Sequence, residues 1–519
     1  MGFLNKLAIA GVIVVILSSV VGFWGFWKFI TYKLTSSVNL APDTDIRKAW
    51  EKAPIAIDFK VYIFNITNPW EVHNGSKPVL QEIGPFAFFE WKEKVNVVDH
   101  NGNDTVSFNM KNTWIFNPEG SGGLTMDEIV VVPHMAMLGL VYIVEKRKPG
   151  SLRVVNNALP ALYNSPETVF LTTSVRDLLF DGNVINCTST EFAPSALCSA
   201  IRAQSASLHK VSDDIFKFSL FGVKNGTPEA GTFNVKRGTE NYKDVGRVLL
   251  YNHEPQLYVW DGSQCNKLEG TDSTVFPALL SPQDDIDDIV SFSPDLCRSL
   301  GAKYQYSTEY QGFSAYSYTA SLGDMANNPA EHCFCPTADT CLKKGALDLT
   351  ECLESPIIVT LPHFYDTDPS YLETVEGLHP RGELHQIFLI FEPITGTPLS
   401  ARKRLQFNIH LHAVKKVKIM INLPDALLPI FWVEEGVDLD QKFLDILDKS
   451  LFRPLRWVFG GRWVFLTLGL LMIATSFVIR YAMRNNLMPT YFDHEPAPTR
   501  RKTPSPAQVM DLSPSSTKY

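Results

Sequence analysis

Two long uncharged stretches, one near each end of the chain, dominate its pattern of hydrophobic and polar positions. Residues 7–27 and residues 463–479 contain no charged side chain, and each run is flanked by Lys or Arg. With neighbouring apolar residues, each is long enough to cross a bilayer as a helix. Four of the last five residues of the first run are Phe or Trp, an aromatic belt that favours an uncleaved anchor over a signal peptide. The pattern predicts transmembrane helices at residues 7–27 and 458–479.

Between the two runs, alternating apolar and polar residues predict β-strands. The clearest alternation covers residues 405–411, where Leu, Phe, Ile and Leu face one side and Gln, Asn and His the other. A strand at residues 386–392 and a turn at residues 393–398 complete a predicted hairpin. The remaining predicted strands are residues 59–63, 129–132, 247–251 and 357–361.

Helical spacing is confined mainly to one region, at residues 152–163, 169–180 and 195–208. The fold class predicted from these patterns is β-rich α+β, with a helical insert at about residues 150–210. Residues 480–519 are polar, contain several prolines and have too little apolar content to fold alone, so we expect a disordered tail.

Sequons and cysteines indicate which side of the membrane the central region occupies. The five sequon asparagines all lie between the two uncharged runs: Asn65, Asn74, Asn103, Asn186 and Asn225. All eight cysteines lie there too, an even number that suits an oxidising compartment. We therefore predict an extracellular domain at residues 28–457, cytosolic termini at residues 1–6 and 480–519, and a plasma-membrane location.

Charge and motif content exclude several classes of function. The whole chain carries −8, and because residues outside 28–462 carry a net +4, the central region carries −12, which repels nucleic acid. No nucleophile elbow, paired-histidine metalloprotease motif, phosphate-binding glycine loop or dinucleotide fingerprint is present. His410 and His412 lack a third metal ligand, and the acidic run at residues 284–288 lacks the glycine and spacing of a calcium loop. We expect no enzyme activity, no metal and no cofactor.

Six cysteines fall within 88 residues, and this cluster has two interpretations. Cys333 and Cys335 cannot easily bond to each other, because the ring would be too tight, and spacing alone leaves fifteen pairings for six cysteines. A zinc site formed by His332, Cys333, Cys335 and Cys341 is the alternative, but thiolates in an oxidising compartment are more often bridged.

Several motifs in the central region resemble the class B scavenger receptor family. They include Cys333-Phe334-Cys335-Pro336, Leu361-Pro362-His363-Phe364, Gly377-Leu378-His379-Pro380, Phe391-Glu392-Pro393-Ile394-Thr395-Gly396-Thr397, Lys403-Arg404-Leu405-Gln406 and Gly270-Thr271-Asp272. Others are similar to the insect sensory neuron membrane protein branch of that family: Glu90-Trp91-Lys92-Glu93-Lys94, Thr190-Glu191-Phe192-Ala193-Pro194 and Phe431-Trp432-Val433-Glu434-Glu435-Gly436. The resemblance covers nearly the whole central region and both anchors.

The resemblance implies a fold and a set of disulfides. It implies an antiparallel β-barrel core, a helical apex distal to the membrane and an apolar lipid tunnel. It also implies bridges from Cys265 to Cys333, from Cys297 to Cys352 and from Cys335 to Cys341. Cys187 and Cys198 lie outside that shared set and either pair with each other or leave one thiol free.

The resemblance further implies a function without chemistry. We expect the protein to capture a hydrophobic ligand, such as a lipid pheromone or fatty acid, and to pass it to the bilayer or to an odorant receptor complex. The candidates for attracting a carboxylate or a pheromone-carrier protein are five basic residues of the helical region, although each could equally be a solvated surface charge: Lys146, Arg147, Lys148, Arg153 and Arg176. The alternative is a scavenger or adhesion receptor for lipoprotein or cell surfaces.

Overall fold

The computed structural model describes residues 2–203, 208–281, 288–337 and 340–485. They form two compact units, one made of the two end segments up to Phe29 and from Leu447, and one made of Ile30–Ile446. The predicted tail beyond residue 485 and residues 284–287 of the acidic run lie outside the described residues.

The described residues contain eighteen strands and eleven α-helices. The strands are β1 (Ile57–Ile66), β2 (Leu80–His100), β3 (Thr105–Phe116), β4 (Ile129–Pro133), β5 (Phe170–Ser174), β6 (Asn183–Asn186), β7 (His209–Lys210), β8 (Ile215–Phe218), β9 (Pro228–Lys236), β10 (Val248–Tyr251), β11 (Ile289–Ser293), β12 (Arg298–Tyr310), β13 (Phe313–Ala320), β14 (Leu347–Asp348), β15 (Ile358–Thr360), β16 (Ile387–Glu392), β17 (Thr397–Leu411) and β18 (Ala426–Asp438). The helices are α1 (Gly2–Ser19), α2 (Phe26–Ser37), α3 (Asp45–Glu51), α4 (Pro69–His73), α5 (Met135–Arg147), α6 (Leu152–Leu162), α7 (Phe192–Ala203), α8 (Thr350–Leu353), α9 (Gly382–His385), α10 (Gln441–Leu447) and α11 (Arg453–Arg484).

The unit made of the two end segments is a pair of long helices. The segments Gly2–Ser37 and Gln441–Arg484 are long and apolar enough to span a membrane. A side-chain carbon added at Gly11 would lie 2.8 Å from the carbonyl oxygen of Gly469, so α1 and α11 approach closely there. The hydroxyl of Ser476 donates to the carbonyl of Leu4 at 2.8 Å, which suits helices that must satisfy polar groups among themselves.

The large sheet of the second unit curls into a nearly closed barrel, as predicted. Its strands follow the order β10-β9-β3-β2-β1-β18-β17-β16-β13-β12-β11, and neighbouring strands are antiparallel. The segment around Thr271 bridges the two edge strands, because Val248 donates its N–H to Gly270 and Thr271 donates to Val290. Gly270 has a φ of +78°, and a side-chain carbon there would lie 2.0 Å from the Val290 carbonyl oxygen, so this closure requires glycine. The predicted lipid tunnel remains a prediction.

The strand predictions agree with the structure, but the first half of one predicted helix is wrong. Residues 169–180 contain β5, which pairs antiparallel with β4 from Ile129 opposite Ser174 to Pro133 opposite Phe170. A π-helical turn, Asp177–Asp181, follows. The β-branched Thr172 and Thr173 favour an extended chain, and pairing with a strand about forty residues earlier overrides the local helical spacing.

The helical insert consists of α5, α6 and α7. The predicted helix at residues 152–163 corresponds to α6, whereas α5 was not predicted. The imidazole Nδ1 of His134 caps α5 by accepting the backbone N–H of Met137 at 3.4 Å. The third helix, α7, begins at Phe192, three residues before the predicted start, and residues 204–207 of the predicted helix lie outside the described residues.

Four disulfides join the eight cysteines. The bonded pairs are Cys187–Cys198, Cys265–Cys333, Cys297–Cys352 and Cys335–Cys341. Because three of its four ligands would be bonded sulfurs, the zinc alternative at His332 is excluded. Each bridge stabilises the fold by about 2–4 kcal/mol, mainly by restricting the unfolded chain.

Candidate ligand-binding site

The structure divides the five basic capture candidates into paired and unpaired side chains. All five are exposed. The ammonium of Lys146 lies 2.8 Å from Glu351, Arg147 lies 3.7 Å from the same carboxylate, and Arg176 lies 3.1 Å from Asp127. Lys148 and Arg153 form no ion pair with any residue that the structure describes. These two side chains are therefore available to an acidic partner.

Three further lysines, which the sequence did not single out, lie on the same surface. The ammonium of Lys416 donates to the Pro149 carbonyl at 3.2 Å, and the backbone N–H of Lys418 donates to Asn156 at 2.8 Å. These contacts place the loop after β17 against the start of α6. Lysines 415, 416 and 418 are exposed, and none pairs with a carboxylate of the described residues. We call Lys148, Arg153, Lys415, Lys416 and Lys418 the basic cluster.

A small cavity lies beside the cysteine cluster. Its volume is about 260 Å³, and its walls include Trp260, Cys335, Asp348 and Glu351. This is less than the roughly 300 Å³ at which small-molecule pockets begin. We assign no ligand to this cavity.

The inner face of the barrel is strongly aromatic across β1, β2, β3 and β18. Phe59 lies opposite Phe88 on β2, and its ring centroid lies 5.7 Å from that of Trp114 and 5.6 Å from that of Phe221. Phe221 in turn lies 6.1 Å from Phe431. Because side chains alternate along each strand, these rings share one face of the sheet. Most of these rings are buried against one another, whereas Phe221 keeps part of its apolar surface accessible.

Charged side chains occupy the same inner face directly beside the rings. The ammonium of Lys92 lies 3.2 Å from Glu90 and 2.9 Å from Glu435, and Lys403 lies opposite Glu435 on the neighbouring strand. Burial raises the pKa of Glu90. Burial would also raise the pKa of Glu435, but Lys92 and Lys403 outweigh it and lower that pKa.

The segments that precede β9 and β12 contribute a second ion pair. Lys224 lies 3.2 Å from Asp295, which precedes β12. Burial alone would raise the pKa of Asp295, but Lys224, Lys403 and Lys92 lower it, so charges from separate strands and loops act on one another. The Asp295 and Lys224 side chains nevertheless stay 57% and 52% exposed. This ion pair is therefore open to solvent.

Other predicted positions have local partners. His410 lies 2.8 Å from Asp425 and His412 lies 2.9 Å from Glu145, so each imidazole has its own carboxylate. Within the described ranges, no group of three or more His, Cys, Asp or Glu residues could hold a metal.

The five sequon asparagines occupy different surroundings. Asn74 and Asn103 are exposed, and the side chain of Asn186 accepts the N–H of Thr188. The other two form hydrogen bonds with the backbone of neighbouring segments. The side chain of Asn65 accepts the N–H of Val131, and that of Asn225 accepts the N–H of Trp114. Glycan attachment at these five sites stays a prediction.

Comparison with known proteins gives consistent matches over most of the chain. A sequence model described as the CD36 family matches residues 9–480. Sensory neuron membrane protein 1 of Apis mellifera is 44% identical over 438 residues, which are 84% of each chain. The proteins of the same name from Pediculus humanus subsp. corporis and Manduca sexta are each 42% identical, over 485 and 468 residues. These alignments cover 93% of both chains in the first case, and 90% of this chain and 89% of the relative in the second.

Proposed function

Since this chain belongs to the CD36 family, we propose that it captures hydrophobic ligands outside the cell and delivers them to the membrane or to an odorant receptor. It is a membrane protein with two spans, and its relatives, which are named for the membranes of sensory neurons, support a receptor role in sensing. The ligands of this proposal are lipid pheromones and fatty acids. The proposed orientation has both termini in the cytosol, and the family points to a receptor rather than an enzyme.

The observation that carries this proposal is the interior of the barrel. It combines an apolar surface of packed aromatic rings with side chains that keep accessible surface at Lys224 and Asp295. Exposing a lipid chain to water costs about 0.8 kcal/mol per methylene. A sheltered apolar path therefore lowers the barrier for a lipid that must cross an aqueous gap.

The basic cluster supports the capture step of the proposal. Its cations have no carboxylate partner in the described residues, and they stand out on a central region whose net charge is −12. Positive charge in such a setting attracts an acidic carrier protein or a lipid carboxylate and accelerates encounter. The proposal assigns docking of a carrier to this surface.

Charge reversal tests the capture step. Lys148→Glu combined with Lys416→Glu, in the full chain expressed on cultured cells, is expected to slow uptake of labelled hexadecyl acetate presented on serum albumin, an acidic carrier. The expected loss is about tenfold at low ionic strength and smaller at high salt, because salt screens exposed charges. The measurement is the initial rate of uptake at matched surface expression.

The control is Lys48→Glu, an exposed lysine of α3 outside the helical insert, which should leave the rate unchanged. Uptake equal to that of cells without the protein would contradict the proposed function. Uptake that requires internalisation of the whole receptor would instead favour the scavenger alternative.

A further inference from the structure

A group of charged side chains inside the barrel has no role in the proposed path. Glu90, Lys92, Lys224, Asp295, Lys403 and Glu435, which we call the polar station, come from β2, β17, β18, the loop before β9 and the turn before β12. Lys92 pairs with both Glu90 and Glu435, and Lys403 lies 3.8 Å from Glu435. Lys224 pairs separately with Asp295. Charges that lose part of their hydration inside a barrel are costly, and apolar residues would fill the same space at lower cost.

Three buried polar atoms beside the station lack partners among the described residues. They are Oε2 of Glu90, Oδ1 of Asn112 and Nε1 of Trp114. Trp114 lies directly opposite Glu90, and Asn112 lies opposite Lys92, so the three belong to two adjacent strands. The Glu90 side chain is 2% exposed and Trp114 is 8% exposed. Buried groups of this kind are normally satisfied by water or by the polar atoms of a ligand.

The charge balance indicates which head group fits. The three lysines of the station are matched by three carboxyl groups, and a fourth carboxyl group, Glu229, accepts the side-chain N–H of Asn112 at 3.1 Å. A free carboxylate would therefore meet no net positive charge and would lose its own hydration. An alcohol or ester oxygen loses far less hydration and still accepts from an ammonium group.

We propose that the polar station binds the uncharged oxygen-bearing head group of a lipid, such as an alcohol or an acetate ester, while the chain lies along the aromatic inner face. This rests on the proposed function. The ammonium of Lys403 is 41% exposed and is the donor to the head-group oxygen. Val433 lies two residues before Glu435 on the same strand face and keeps accessible surface, so the chain of a lipid held at the station begins there.

The test measures equilibrium binding to the full chain in nanodiscs. The four probes share one chain and differ in the head group: hexadecane, hexadecanol, hexadecyl acetate and palmitate. We expect hexadecanol and hexadecyl acetate to bind more tightly than palmitate at neutral pH. Lys403→Met keeps the length of the side chain and leaves Glu435 paired with Lys92, so it removes one donor without leaving an unpaired carboxylate. This variant should bind hexadecyl acetate about tenfold more weakly than the wild type and bind hexadecane with unchanged affinity.

The matched control is Lys303→Met, an exposed lysine of β12, which should change no affinity. An unchanged affinity for hexadecyl acetate in Lys403→Met would overturn the proposal. Water alone would then satisfy the polar atoms of the station. Equal loss for hexadecane and hexadecyl acetate would also overturn it, since a purely structural defect affects both. Binding of all four probes with equal affinity would contradict the head-group role of the station but not the proposed function. Binding of none of them would contradict both.

Discussion

Replacing Arg404 by alanine is expected to cost about 3–5 kcal/mol of folding free energy, the largest loss we predict for a single residue. The guanidinium donates to Glu434 from Nε at 2.8 Å and from Nη2 at 2.7 Å, and from Nη1 to the carbonyl of Gln386 at 2.7 Å. Both partners are buried, at 7% and 9% exposure. The alanine variant leaves the Glu434 carboxylate buried without its two shortest contacts, with Lys60 at 3.1 Å and Arg402 at 3.7 Å as its remaining cations. The measurement is the denaturant midpoint of the full chain, or its surface level in cells.

The matched control is Arg176→Ala, which breaks the exposed pair with Asp127 and should cost less than about 1 kcal/mol. Replacing Glu434 by leucine as well as Arg404 by alanine should recover part of the stability, because no unpaired buried carboxylate remains. Equal effects of Arg404→Ala and Arg176→Ala would contradict this assignment.

The second large effect is a loss of stability in acid that depends on His134. Its ring lies buried against Tyr163, with centroids 4.7 Å apart, and burial lowers the pKa of His134 to about 4. The unfolded chain binds the proton near pH 6.5, whereas the folded chain excludes it until about pH 4. Stability is therefore complete above pH 6.5 and falls as the pH decreases toward 4, by about 3 kcal/mol in total. Protonation also removes the Nδ1 acceptor that caps α5.

His134→Asn isolates this contribution from that of other acidic groups. Asparagine caps helix N-termini well but does not titrate in this range. The variant should lose less stability than the wild type between pH 6.5 and 4, as followed by thermal unfolding of the full chain at a series of pH values. Parallel pH profiles for the two proteins would show that His134 is not the group responsible.

The strands were predictable where one face of the strand is apolar, as in residues 405–411. The structure extends this strand back to Thr397, because the added residues pair with β16 and β18 through contacts that local alternation does not reveal. The same limit explains the error at residues 169–174, where the partner strand lies about forty residues earlier. Helix α5 escaped prediction because both its faces carry apolar residues, which gives little helical periodicity.

The candidate site was predictable only where it is local in sequence. Lys148 and Arg153 stand close together on one exposed segment, and composition is enough to notice them. The polar station is different, because Lys92, Lys224 and Asp295 meet only after the sheet closes. The sequence does show that Phe88, Glu90 and Lys92 share one face of a strand. It does not show that this face points into the barrel.

The central claim is that a lipid occupies the inner face of the barrel, and photocrosslinking tests it most directly. A hexadecyl ester with a diazirine in its chain is bound to the full chain in nanodiscs and irradiated, and the labelled residues are identified by mass spectrometry. The account predicts labels on the inner face, at the partly accessible Phe221, Phe407 and Val433, and none on Tyr62 and Trp432, which stack on the other face of the same sheet. Labels confined to the other face or to the two membrane-spanning helices would contradict it.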